Sequence, residues 1–229
     1  MKPILLTKIM KQLETTSQDE SFKPEMEVKG EIPQELLESV GNSVQRMDIS
    51  SHLVVPIKDM QSDSWKVRLE AITTVQDILQ QSCFSITPNV MPLMRELKQL
   101  LDHANIRVVV ESLKLIESLA KSLGPAGDKF NKIIMQPLVV KLSNNTKPIR
   151  TAALQALTEW SKHTSFLPLL KYVAGVISNP KSHPEGRKEC MDLILANFET
   201  ISHRPEMLVM LTKHVINCLI DKNPELRKL

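Results

Sequence analysis

The 229-residue chain has a net charge of +3, an apolar fraction of 42% and a charged fraction of 24%, proportions of a globular protein with too small a positive balance to argue for nucleic acid. Aromatic residues make up only 3% while Leu, Ile, Val, Ala and Met are plentiful, which suits packing between helices better than a β-sandwich. Cys83, Cys190 and Cys218 are odd in number with no CxxC pair, as expected of reduced thiols in a cytosolic or nuclear protein, and no apolar run approaches the roughly 20 residues that span a bilayer.

In chain order, the first ten residues lack the apolar region and cleavage site of a secretory signal. Ile4, Leu5, Ile9 and Leu13 suit a short helix, and the polar, charged stretch that follows reads as a linker. Residues 1–32 are thus expected to be a partly disordered linker or extension, and residues 33–229 the folded domain. A further helix is predicted over residues 33–47, opened by Pro33 and carrying Leu36, Leu37, Val40 and Val44. It leads into a first repeat at Ile49.

Five stretches then share one pattern: a helix ending in apolar residues, a short polar turn, and a second helix. They fall at residues 57–72, 97–113, 139–157, 173–195 and 215–229. Equivalent residues Arg68, Val109, Arg150, Arg187 and Arg227 lie 41, 41, 37 and 40 positions apart. A period of roughly 40 with two helices per unit is that of HEAT-type solenoids, so the expected fold is an all-α array of antiparallel helix pairs. Apolar spacing supports each helix. Val90, Leu93, Met94, Leu97, Leu100 and Leu101 make one face, Val109, Leu113, Ile116, Ala120 and Leu123 the next. Ile149, Ala152, Ala153, Ala156, Leu157 and Trp160 repeat the pattern, which makes Trp160 a core residue. Leu123-Gly124-Pro125 reads as a helix stop, and Pro56 and Pro137 are expected inside first helices, each producing a kink. The chain stops at Leu229 just inside a second helix, without the polar cap a solenoid end needs, so it is expected to be a monomeric fragment of a longer protein.

Stacked pairs place their turns in a row. With helix pairs about 10 Å apart, five turns make a ridge of roughly 40 Å. It carries Trp65 and Lys66, Asn105 and Arg107, Lys147 and Arg150, Lys181, Arg187 and Lys188, and finally Lys222, Arg227 and Lys228. A line of cations headed by an aromatic suits a large acidic protein surface, the charges steering and the Trp anchoring. Two readings compete for Arg68, Arg150, Arg187 and Arg227: partner contacts, or inward ties between repeats. The lysines likewise suit a plain solvated surface.

Nothing argues for chemistry. With six glycines there is no GxxxxGK[ST] or GxGxxG, no HExxH and no paired Cys/His spacing, so no cofactor, metal or catalytic residue is expected. Cys190 and Cys218 lie among apolar residues and are expected to be buried and inert. A basic helix face interleaved with aromatics, as a nucleic-acid binder would need, is also missing.

The turn SDSWKVRLEAI, the segment LSNNTKPIRTAALQAL, the LGP stop and the stretch IDKNPELRK resemble a TOG domain. They are most similar to the microtubule polymerase family that includes ch-TOG and Mini spindles, and within its array to the fourth domain. The similarity covers about residues 49–229 and is specific mainly in the first turn, where a Trp followed by a basic residue and an Arg is the family's signature. The resemblance implies αβ-tubulin or microtubules as partner, bound through the row of intra-repeat turns, and a place in the cytoplasm on microtubules, spindle and centrosome. It implies contacts by Trp65 and Lys66, by Asn105, by Lys147 and Arg150, and by Lys222. The fourth turn, NPKSHPEGRK, is longer and richer in Pro than the family pattern. The alternative is a structural HEAT scaffold that binds another protein through its concave face.

Overall fold

The computed structural model describes residues 46–219 together with Asp221 and Arg227. The helices predicted around Ile4–Leu13 and from Pro33, the linker between them, and Lys222 and Lys228 lie outside these residues.

Among the described residues ten α-helices follow one another: α1 (Val54–Asp59), α2 (Trp65–Gln81), α3 (Met91–Leu100), α4 (Ile106–Leu123), α5 (Asn131–Lys141), α6 (Lys147–His163), α7 (Leu167–Ser178), α8 (Pro184–Ala196), α9 (Phe198–Ser202) and α10 (Pro205–Leu219). They form two layers. First helices α1, α3, α5, α7 and α10 pack each on the next, and second helices α2, α4 and α6 do the same behind them. The short α9, an addition to the repeat pattern, packs on α10. The fold is therefore the expected solenoid of helix pairs, and no described helix is long and apolar enough to cross a membrane.

The apolar faces read from the sequence are the ones buried. Every residue of the α3, α4 and α6 stripes named above is inside, because residues at i, i+3, i+4 and i+7 share one side of a helix. Trp160 is fully buried and its indole Nε1 donates to Asn131 Oδ1 at 2.8 Å. That bond satisfies the one polar atom a buried Trp brings and a buried amide at once. The ring lies beside Gly127, where an added Cβ would stand 3.6 Å from it but only 2.9 Å from Thr164 Cγ2.

Two local expectations need correction and one holds. Pro137 does sit inside α5, but Pro56 falls in the first turn of α1, where its missing N–H costs no helical bond. Gly124 does end α4, at φ +54° as a glycine can, and the chain then passes through a 3₁₀ turn, Gly124–Phe130, into α5. Met47, predicted to end a helix, is instead extended: it pairs with Ile86 in a single parallel bridge, its N donating to the Ser85 carbonyl at 2.9 Å. Arg46 beside it donates to the carbonyl of Leu123 at the end of α4.

The second layer does not continue evenly. α6 packs along α4 more than any other pair, whereas α8 meets α6 little. At that join a Cβ on Gly186 would stand 1.9 Å from the Leu142 carbonyl oxygen, so the start of α8 abuts backbone of the preceding repeat. Gly186→Ala is expected to cost roughly 1–3 kcal/mol by overpacking, read as a lowered urea midpoint; a midpoint at the wild-type value would mean that α8 can retreat without loss. Trp160→Ala is expected to cost roughly 3–5 kcal/mol, the range for emptying an aromatic core site, measured by thermal or urea unfolding.

Candidate partner-binding edge

The second helices begin in register. Trp65, Ile106, Lys147 and Pro184 are the first residues of α2, α4, α6 and α8, and the anchors Arg68, Val109, Arg150 and Arg187 lie three residues further on. Residues at the same distance from equivalent helix starts project from the same edge, so these N-termini form the row that the repeat predicts.

What holds the row is the arginine. Arg68 donates through Nε to the carbonyl of Ser62, six residues back in its own turn. Arg150 donates through Nη1 to the carbonyls of Asn144 (2.9 Å) and Asn145 (3.1 Å), and Arg227 to that of Asp221 at 2.9 Å. In the longer fourth turn Arg187 reaches the carbonyl of Ile177, the last turn of α7, at 2.7 Å. Carbonyls at a helix end have no intrahelical donor, and a guanidinium in fixed fork geometry can satisfy several. Two of these arginines also cross to the next repeat. Arg150 pairs with Glu185 at the start of α8, and Arg187 with Asp221 at 2.6 Å.

The second repeat has Val109 at this position, buried, and holds its turn another way. Asn105 caps α4, its Oδ1 accepting from the Arg107 backbone N at 2.9 Å, while its own N donates to His103 Nδ1. Asn105 is thus half-buried and occupied by the cap, and Arg107 is exposed.

The ten residues expected at the edge therefore divide. Trp65 is 37% exposed at the first position of α2, and the Lys66 ammonium lies 5.9 Å from its ring centroid. Lys66, Arg107, Lys147, Lys181 and Lys188 are exposed, Lys181 with its backbone N tied to Asn179 Oδ1 at 3.0 Å. Arg150 and Arg187 do not reach the surface: they are 5% and 4% exposed, since their guanidinium groups are used up on turn carbonyls and on the next repeat's carboxylates. Of the two readings open for them, the inward tie is the one realised. Arg227 is exposed with its guanidinium on the Asp221 carbonyl, and Lys222 lies outside the described residues.

Ile106 was missed. It is 48% exposed at the position equivalent to Trp65, an apolar residue where the helix has no core to reach. The signal was present, because Trp65, Ile106 and Lys147 are 41 residues apart, as are Arg68, Val109 and Arg150.

Among the described residues no group of three His, Cys, Asp or Glu side chains converges as a metal site. Cys190 and Cys218 are buried, as expected, and Cys83 is exposed. Burial pushes both buried thiols up, and Arg187 beside Cys218 does not offset it, so neither is a thiolate at neutral pH.

The architecture and its edge define a TOG-type HEAT array. The chain belongs to the CLASP N-terminal family, whose model matches residues 58–229. It is 30% identical over 189 residues to Protein MOR1 of rice (Oryza sativa subsp. japonica), covering 82% of this chain and 9% of that protein. It is 27% identical over 230 residues to Protein MOR1 of Arabidopsis thaliana, covering 100% and 12%. The chain thus spans about a tenth of the length of these relatives. Its fold matches a structure described as the basis of tubulin recruitment and assembly by microtubule polymerases with TOG domain arrays, with a TM-score of 0.70 at 16% identity over 95% of this chain and 48% of that one.

Removing the guanidinium tests the inward reading. Arg150→Met is expected to cost roughly 1–3 kcal/mol, the penalty for buried carbonyls left unpaired, and not more, because Glu185 is 63% exposed and stays solvated. A thermal melt measures it; an unchanged melt would return Arg150 to the binding edge.

Proposed function

We propose that this chain binds αβ-tubulin through the row of second-helix N-termini, as one module of a microtubule polymerase that promotes microtubule growth and spindle assembly. The observation that carries the reading is the pair of exposed apolar residues, Trp65 and Ile106, at equivalent helix starts on an edge continued by exposed cations. Soluble domains seldom leave a Trp on the rim of a polar turn without a partner to desolvate it. Lys66, Arg107, Lys147 and Lys181 would steer an acidic partner and fix its register. Asn105 acts here by shaping the second turn, and Arg150 and Arg187 by holding the third and fourth. Membership of the CLASP N-terminal family and the relatives' names support this reading.

We read the folded module as residues 33–229, after an extension of residues 1–32, in a longer protein with sister modules. Linkage would raise the local concentration of captured tubulin. The module acts by binding and carries out no catalysis. It would work in the cytoplasm, on microtubules, the spindle and the centrosome.

Titration of wild type and variants with αβ-tubulin tests this. Trp65→Glu is expected to weaken binding by at least about 2 kcal/mol with an unchanged melt, since it removes an anchor and sets a like charge against an acidic partner. Lys147→Ala is expected to cost less, about 0–1 kcal/mol, and to lose its effect as salt is raised. Undiminished affinity for Trp65→Glu would refute the edge and favour a concave-face scaffold.

A further inference from the structure

Away from the turn edge, the two layers treat their surface lysines differently. On the second layer Lys66, Lys147 and Lys188 stand exposed near the helix starts, and further along the helices Lys114 pairs with Glu111 (2.8 Å), Lys121 with Glu117 (3.2 Å) and Lys162 with Glu159 (3.1 Å). On the first layer, Lys58, Arg95, Lys98, Lys132, Lys171 and Lys213 are all exposed, and none makes an ion pair among the described residues. Spacing explains the contrast. A Glu three or four residues N-terminal to a Lys meets it on a helix surface. Those positions hold Arg95 and Met94 before Lys98, and Pro168 and Leu167 before Lys171, while Asp128, four residues before Lys132, accepts instead from Asn131 Nδ2 and the Ser165 N–H.

Three of these unpaired ammonium groups flank two neighbouring grooves. One, of about 290 Å³ between α3 and α5, has Lys98 and Lys132 in its wall with Ile133 and Pro137. The other, of about 400 Å³ between α5 and α7, is lined by Lys171, Tyr172, Gly175 and Val176. Gln136 and Val140 belong to both, so the grooves meet over one ridge of α5. The carboxylate in this surface, Asp102, is already bound to Lys141 at 2.8 Å. Pro137 leaves the carbonyl of Ile133 without its helical donor, Val140 is 52% exposed, and Gly175 has open space where a Cβ would be.

We propose that the two grooves form one docking track for an extended acidic peptide of a partner protein, crossing α5 over Gln136 and Val140. Its carboxylates would meet Lys98, Lys132 and Lys171, a backbone N–H would find the Ile133 carbonyl, and one apolar side chain would rest on Val140 and Tyr172. Two helix spacings of about 10 Å call for roughly six to eight extended residues. The inference stands apart from the turn-edge reading, because it uses none of the edge residues.

The test is fluorescence anisotropy of the full chain with a fluorescein-labelled ten-residue glutamate peptide holding one central Phe, beside its glutamine counterpart. Wild type is expected to bind the glutamate peptide and not the glutamine one. Lys98→Glu/Lys132→Glu/Lys171→Glu is expected to weaken binding by at least about tenfold, some 1.4 kcal/mol. Gly175→Leu, which changes no charge and has room to fit, is expected to weaken it by about fivefold by filling the groove, with an unchanged melt. Lys66→Glu/Lys147→Glu/Lys188→Glu, the same charge change on the turn edge, is expected to stay within about twofold of wild type. The proposal is overturned if wild type fails to bind the glutamate peptide, if both triple variants lose equally, if Gly175→Leu binds as wild type, or if a ten-nucleotide single-stranded DNA binds as tightly.

Discussion

A guanidinium donated to the carbonyls of its own turn is the contact on which the edge of this solenoid depends. Arg68, Arg150 and Arg227 each reach back six residues, and Arg187 ten across a longer turn. The carbonyls of each turn need donors, and the second helix must leave the turn at a reproducible angle if successive helices are to stack. One side chain meets both needs. A buried charge is costly unless paired and hydrogen-bonded; Arg150 and Arg187 answer that with Glu185 and Asp221 of the following repeat. The bond that shapes a turn also ties it to its neighbour, and the residue at each helix start is fixed in space as a consequence.

That arrangement separates residues that hold the edge from residues that can face a partner. Holding falls to the fourth position of each second helix, or to the Asn105 cap where Val109 replaces the arginine. Facing falls to the first two positions, where Trp65, Lys66, Ile106, Arg107 and Lys147 stand in solvent. An apolar residue at a helix start is too far from the core to bury itself, so exposure there follows from the geometry. The join between α6 and α8 is the place where the array changes: Gly186 lets backbone touch backbone while the rest of α8 leaves α6. The fourth turn is consequently positioned by close approach and by two ion pairs more than by a broad helix interface.

Much of this was legible in the chain itself. The 41-residue spacing, the apolar stripes, the burial of Trp160 and of Cys190 and Cys218, and the two-helix unit all follow from periodicity, which is a local property. The exposure of Trp65 was legible too, from its polar neighbours Ser62, Asp63 and Ser64. Ile106 is legible through the same offset, although an isoleucine ahead of an apolar stripe looks like part of it.

The rest was decided between repeats. Arg68 and Arg150 occupy the same place after similar turns, yet Arg68 is half-buried while Arg150 is inside, because Glu185 stands opposite Arg150, 35 residues further along the chain. Met47 is extended because Ser85 and Thr87 offer it a carbonyl and an N–H, and Gly186 is needed because Leu142 passes within van der Waals reach. Periodicity along a helix determines which face turns inward. Which polar side chain on the margin of that face is buried depends on the partner that the next repeat brings, and only the stacked structure puts that partner in place.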